Sequence, residues 1–188
     1  LAAADPGLGE PLASAQFAAA SNMTDRLASL SVLTTLPGEA RERALAAFGE
    51  RYAKEPLVLD KWFTLQAAIQ EEDTLRRVRS LMEHPAFSIG NPNRVRSLIG
   101  SFAMLNPTQF NRPDGQGYDF VADMVLRVDP LNPQLASRLL TAFGSWRIME
   151  EGRRNHARKA LLGIAENASL SRDVGDIVHR SLEETPSR

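Results

Sequence analysis

Apolar residues recur at helical spacing along nearly the whole chain, and no segment alternates with period two long enough to form a strand. The cleanest stripe is Val95, Leu98, Ile99 and Phe102, at i, i+3, i+4 and i+7, entered through Asn91-Pro92. An asparagine that accepts from free N–H groups, followed by proline at the first helical position, is a strong helix start. Asn132-Pro133 repeats that form ahead of Leu135, Leu139 and Phe143. Further stripes are Met23/Leu27/Leu30, capped by Asn22 or Thr24, and Leu45/Phe48/Tyr52, with Pro37 suited to the first turn. Leu59, Trp62, Phe63 and Ile69 follow Pro56; Leu75, Val78, Leu81 and Met82 follow a cap at Asp73 or Thr74 and stop before Pro85. Tyr118/Val121/Val125/Val128, Ala157/Leu161/Ile164 and Val174/Ile177/Val178/Leu182 complete the set, the last capped by Ser171.

The pattern predicts an all-α fold. Short helices with short connections pack as antiparallel hairpins, and stacked hairpins make an irregular, armadillo/HEAT-like α-solenoid. No repeat of fixed period is present, so the array is degenerate. Its expected limits are 22–183, with a lead-in at 1–21 that is part of or links to upstream structure, and a tail at 184–188. The lead-in is rich in alanine, but it lacks a basic start and is broken by Asp5, Pro6, Gly7, Gly9, Glu10 and Pro11, so it does not read as a signal peptide. Leucine as first residue sets the expectation that the chain is a piece of something longer. The longest irregular stretch is Asn106 to Gln116, most simply a surface turn.

Charge and composition exclude several functions. Twenty-two basic residues nearly cancel twenty-three acidic ones, which leaves no global field for nucleic acid or anionic lipid. Nothing approaches the roughly 20 apolar residues that span a bilayer. The absence of cysteine removes disulfides, thiolate metal sites and cysteine nucleophiles, and fits a reducing, cytoplasmic setting. Three histidines, His84, His156 and His179, are widely separated and none sits in His-Glu-x-x-His, the spacing that lets two imidazoles and an activating carboxylate serve one zinc ion. No serine lies in Gly-x-Ser-x-Gly. Gly115-Gln116-Gly117 lacks the third glycine and preceding strand of a nucleotide loop, and reads as a tight turn into a helix. Glu71-Glu72-Asp73 reads as a solvated entry to a helix N-terminus.

One constellation points to binding. Beside the two Asn-Pro helix starts stand arginines that the core does not need. Arg96 lies about 100° from Val95 around the helix, and Arg94 about 200° from Arg96, so those two arginines do not face the same way. Gln134 and Arg138 share a face one turn apart. Helix N-termini with guanidinium groups suit a carboxylate such as a peptide C-terminus. The competing arrangement pairs Arg96 and Arg138 internally with Asp114, Asp119, Asp123 or Asp129.

Four runs, Pro56-Leu57-Val58-Leu59-Asp60-Lys61-Trp62-Phe63, Asn91 to Gly100, Asp114-Gly115-Gln116-Gly117-Tyr118 and Asn132 to Leu139, closely resemble the C-terminal helical domain of bacterial aminopeptidase N, a zinc metallo-aminopeptidase. The likeness runs from Asn22 to about Leu182 and departs at Ser145-Trp146-Arg147-Ile148. It implies a non-catalytic domain that closes over an upstream catalytic domain of the same polypeptide and controls peptide access. Zinc and general base would belong to that upstream domain, with no cofactor and no catalytic residue here. The resemblance also implies substrate contacts for Arg96 and Arg138 and a position near the access channel for Gln134. The alternative is a freestanding α-solenoid adaptor that binds a protein or peptide along a concave face.

Overall fold

The computed structural model describes residues 5–183, all helix and connection with no strand among them; the expected tail at 184–188 lies outside the described residues. Helix α1 (Pro6–Ala19) occupies most of the lead-in, opened by the Asp5 carboxylate accepting from the Leu8 N–H at 3.1 Å. Its Ala13 is buried and its Phe17 half-buried against α2 (Met23–Leu33) and α3 (Glu39–Arg51). Asn22, rather than Thr24, caps α2 by accepting from the Asp25 N–H. The expected start of α3 at Pro37 is corrected: Gly38 stands between, with φ of 134°, a turn that a β-carbon would strain.

Helix α4 (Pro56–Ala67) lays Leu59, Trp62 and Phe63 into the core, and the Trp62 indole donates to the Leu45 carbonyl at 2.8 Å. Helix α5 (Thr74–Met82) packs against α4. The Glu71-Glu72-Asp73 run is not simply solvated. Glu71 takes both terminal nitrogens of the buried Arg41, at 2.7 and 2.9 Å, while Glu42 joins Arg41 to Arg77. That ion cluster ties α3 to the entry of α5.

A single helical rod follows in three parts: α6 (Pro92–Val95), a π-helical turn (Arg96–Gly100) and α7 (Ser101–Leu105). Val95, Leu98, Ile99 and Phe102 are all completely buried, as their spacing predicts. The π-turn sits against α4, α5 and α10, in the middle of the array.

The stretch from Asn106 to Gln116 is a built corner rather than a surface turn. Fully buried Asn106 starts the short helix α8 (Pro107–Phe110) and donates to the carbonyls of Ala67 and Ile69 at 3.0 and 2.7 Å. Burying such a side chain is tolerable only because its amide hydrogens are satisfied. Gly115 then turns left-handed (φ 76°) into α9 (Gln116–Val128), and Tyr118 donates to Asn111 at 2.9 Å.

Helix α10 (Pro133–Leu140) does not run on to Phe143; it tightens into a 3₁₀ stretch (Thr141–Ile148) that still buries Phe143. In α11 (Glu151–Ala165) and α12 (Arg172–Leu182) the predicted faces are inward. Helix α9 packs on both α10 and α11, and α12 on both α10 and α11, so two hairpins stack in two layers. This is the α-solenoid arrangement, enclosing one continuous core. The departing segment Ser145–Ile148 fastens the C-terminal helix: Trp146 and Arg147 both donate to the Ser181 carbonyl, at 3.2 and 2.8 Å.

Candidate functional site

An open groove of about 1040 Å³ runs between α2, α4 and the π-turn. Met23 and Leu27 from α2 and Leu57 and Leu65 from α4 give it an apolar wall. Leu57 is 71% exposed. Lys61, Asn93 and Arg96 bring polar groups to the same groove. The inward side of α4 is taken by Leu59, Trp62 and Phe63, which leaves Leu57 and Lys61, one turn apart, on the groove side.

The two arginines of the Asn91–Gly100 run separate as helical geometry requires. Arg94 is 5% exposed and wholly structural. It forms an ion pair with Asp60, its Nε donates to the Ala86 carbonyl at 2.8 Å, and its Nη1 to the Pro56 carbonyl at 3.0 Å. Asp60, though it lines the groove, is thereby neutralised. Arg96 is exposed, and its Nη1 donates to the neutral amide of Asn93, at Oδ1, over 2.7 Å.

Gln134 and Arg138 are exposed on α10 and do not line the groove, although α10 touches the π-turn. The competing internal pairs do not form among the described residues. Asp114 pairs with Arg112 and Asp123 with Arg127, while Asp129 accepts from Ser171. At Pro92–Val95 the helix N-terminus is not free for an anion, because Asn91 Oδ1 already accepts from the N–H groups of Asn93 and Arg94. The Arg96 guanidinium and the Lys61 ammonium are therefore the charged donors in the groove lining for a carboxylate.

Sequence reasoning missed Lys61, Leu57, Met23, Leu27 and Thr64 as groove residues. The signal was there for Leu57 and Lys61, which fall on the face opposite the buried stripe. For the α2 residues there was none, since only tertiary packing brings Met23 and Leu27 opposite α4.

Among the described residues no three His, Cys, Asp or Glu side chains gather to hold an ion. His84 accepts from the Ala86 N–H at 3.1 Å, with its ring 5.3 Å from Trp62, and His156 lies over Gly115.

The family described as "Domain of unknown function (DUF3458_C) ARM repeats" matches residues 1–183. The chain belongs to that family. It is similar to aminopeptidase N from Caulobacter vibrioides (41% identical over 166 residues, 88% of this chain and 19% of the relative). Against aminopeptidase N from Escherichia coli the identity is 37% over 182 residues, 97% of this chain and 21% of the relative. Among solved structures it resembles Legionella pneumophila aminopeptidase A in complex with aspartic acid, with a TM-score of 0.85 and 33% identity, over 92% of this chain and 20% of that one. The chain thus spans about a fifth of the relatives it matches and corresponds to their C-terminal ARM-repeat domain.

Proposed function

We propose that this ARM-repeat domain is the non-catalytic C-terminal part of a zinc-dependent aminopeptidase, closing over an upstream catalytic domain and controlling how peptides enter and sit. One observation carries the reading. In a chain that matches aminopeptidases over most of its length, Arg96 stands exposed beside an apolar groove and, among the described residues, pairs with a neutral amide and no carboxylate. An unneutralised guanidinium there suits the far carboxylate of a bound peptide, through charge-assisted hydrogen bonds. Arg138 and Gln134, exposed on the neighbouring α10, are assigned to the same peptide beyond its scissile bond. Zinc and the residues that activate water are assigned to the upstream domain, since the His-Glu-x-x-His spacing is absent from this sequence.

The test is kinetic, in the full-length polypeptide. Arg96→Ala and Arg138→Ala are each expected to lower kcat/KM for a short peptide by about 10- to 150-fold, the equivalent of a lost charge-assisted contact of about 1.5–3 kcal/mol. An amino-acid anilide, which has no distal carboxylate, is expected to be processed almost as before. Equal losses on both substrates would refute the role. A full coding sequence with no upstream His-Glu-x-x-His would favour the adaptor reading instead.

A further inference from the structure

The π-turn at Arg96–Gly100 interrupts the regular helical ladder in the middle of the array, and its neighbours explain how it persists. A π-turn adds one residue to the helical period and so rotates everything before it by about 100° relative to everything after it. It also disturbs the regular i to i+4 ladder, and a displaced carbonyl in a buried site needs another donor. Here that donor comes from a different helix. Thr64 Oγ1 on α4 donates to the Ser97 carbonyl at 3.2 Å and accepts from the Ser101 hydroxyl at 3.2 Å. One turn earlier on α4, Asp60 accepts from the Ser97 hydroxyl at 3.3 Å and is itself paired with buried Arg94. Asp60 and Thr64 thus form a polar seam along α4, between its apolar core face and the groove. Thr64 lies in the groove lining beside Arg96, and the first residue of the clamped turn is Arg96 itself.

We infer that Thr64 is a positioning residue: its hydroxyl, clamping the Ser97 carbonyl and the Ser101 hydroxyl, holds the π-turn and so aims the Arg96 guanidinium into the groove. Thr64 touches no substrate in this account. The inference rests on the proposed function only for what Arg96 then does. Regular α-helix through 92–105 would turn Arg96 by about 100° relative to Phe102, away from the groove wall or into the packing beneath it.

The experiment compares Thr64→Val, which keeps the shape and removes the hydroxyl, with Thr64→Ser, which keeps the hydroxyl. Crystal structures of both variants of this chain are expected to show the π-turn lost or Arg96 redirected in Thr64→Val, and both retained in Thr64→Ser. A Thr64→Val structure with turn and arginine unmoved overturns the inference, whatever the kinetics. In the full-length polypeptide the reading is the ratio of kcat/KM for a peptide with a free C-terminal carboxylate to that for its C-terminal amide. Thr64→Val is expected to lower this ratio at least about fivefold toward the Arg96→Ala value, since small misplacements of a binding group carry large kinetic penalties. Thr64→Ser is expected to restore it. A ratio unchanged in Thr64→Val but collapsed in Arg96→Ala overturns the positioning role and leaves the proposed function standing. A ratio unchanged in Arg96→Ala overturns the proposed function, and the crystal structures alone then decide the role of Thr64.

Discussion

Removing the guanidinium of Arg94 should be among the most destabilising single changes available in this chain. The side chain is 7% exposed and satisfies three acceptors at once: the Asp60 carboxylate, the Ala86 carbonyl and the Pro56 carbonyl. It also lies 5.8 Å over the Phe63 ring. Arg94→Ala leaves Asp60, whose side chain is 19% exposed, as an uncompensated charge next to the core. Breaking a buried pair from one side costs about 3–5 kcal/mol, chiefly through the partner left behind. A domain of this size loses about 2–4 °C in Tm per kcal/mol, so Tm should fall by about 6–20 °C. The assay is thermal unfolding followed by circular dichroism at neutral pH. The double variant Arg94→Met, Asp60→Leu should recover a large part of the loss, because no charge is then stranded. A Tm within 2 °C of wild type for Arg94→Ala would refute this account of why the arginine is buried.

Two further outcomes follow from the packing. Gly117→Ala would drive a β-carbon into the backbone carbonyl oxygens of Phe110 and Gln109, neither of which can swing aside, so the α8–α9 corner should lose at least about 2 kcal/mol in denaturant unfolding. Glu42 donates no proton to its network but accepts from Arg77 and Arg41, and the Arg77 hydrogen bonds hold its carboxyl below the usual 4.5. A depressed folded-state value means that Glu42 stabilises the fold above its unfolded value and loses that contribution as pH falls through the lower, folded one. Glu42→Gln should therefore flatten the dependence of Tm on pH below about 4.5, measured by melting from pH 6 to pH 3. An unchanged slope would show that the Arg77–Glu42 contact is not maintained in solution.

The parts of the fold legible in sequence are those in which local chemistry and packing agree. Asn91-Pro92 and Asn132-Pro133 start helices because cap and proline act within four residues, and the asparagine side chains accept where expected. Arg94 and Arg96 parted to opposite environments because 3.6 residues per turn leaves them no choice. The π-turn was hidden for a different reason. Val95, Leu98, Ile99 and Phe102 satisfy the ordinary helical period, while the donor that accommodates the extra residue is Thr64, 33 positions before Ser97. The role of Asn106 was equally invisible, since its partners Ala67 and Ile69 lie across the array. The groove needed α2 and α4 side by side before Met23, Leu27 and Lys61 could belong to one surface. Helix α1 escaped a firm boundary because small residues and two prolines give it a weak stripe, and its neighbours α2 and α3 fix its buried side.

Reconstitution is the most direct measurement of the claim that this domain shapes peptide binding while chemistry resides elsewhere. A polypeptide ending just before Leu1 would be assayed on short peptides alone, then with the 188-residue chain added, and the chain would be assayed by itself. The account predicts no hydrolysis by the chain, impaired peptide hydrolysis by the truncated polypeptide, and recovery on mixing that Arg96→Ala diminishes. Metal-dependent hydrolysis by the purified chain, or full peptide selectivity in the truncated polypeptide without it, would contradict that claim.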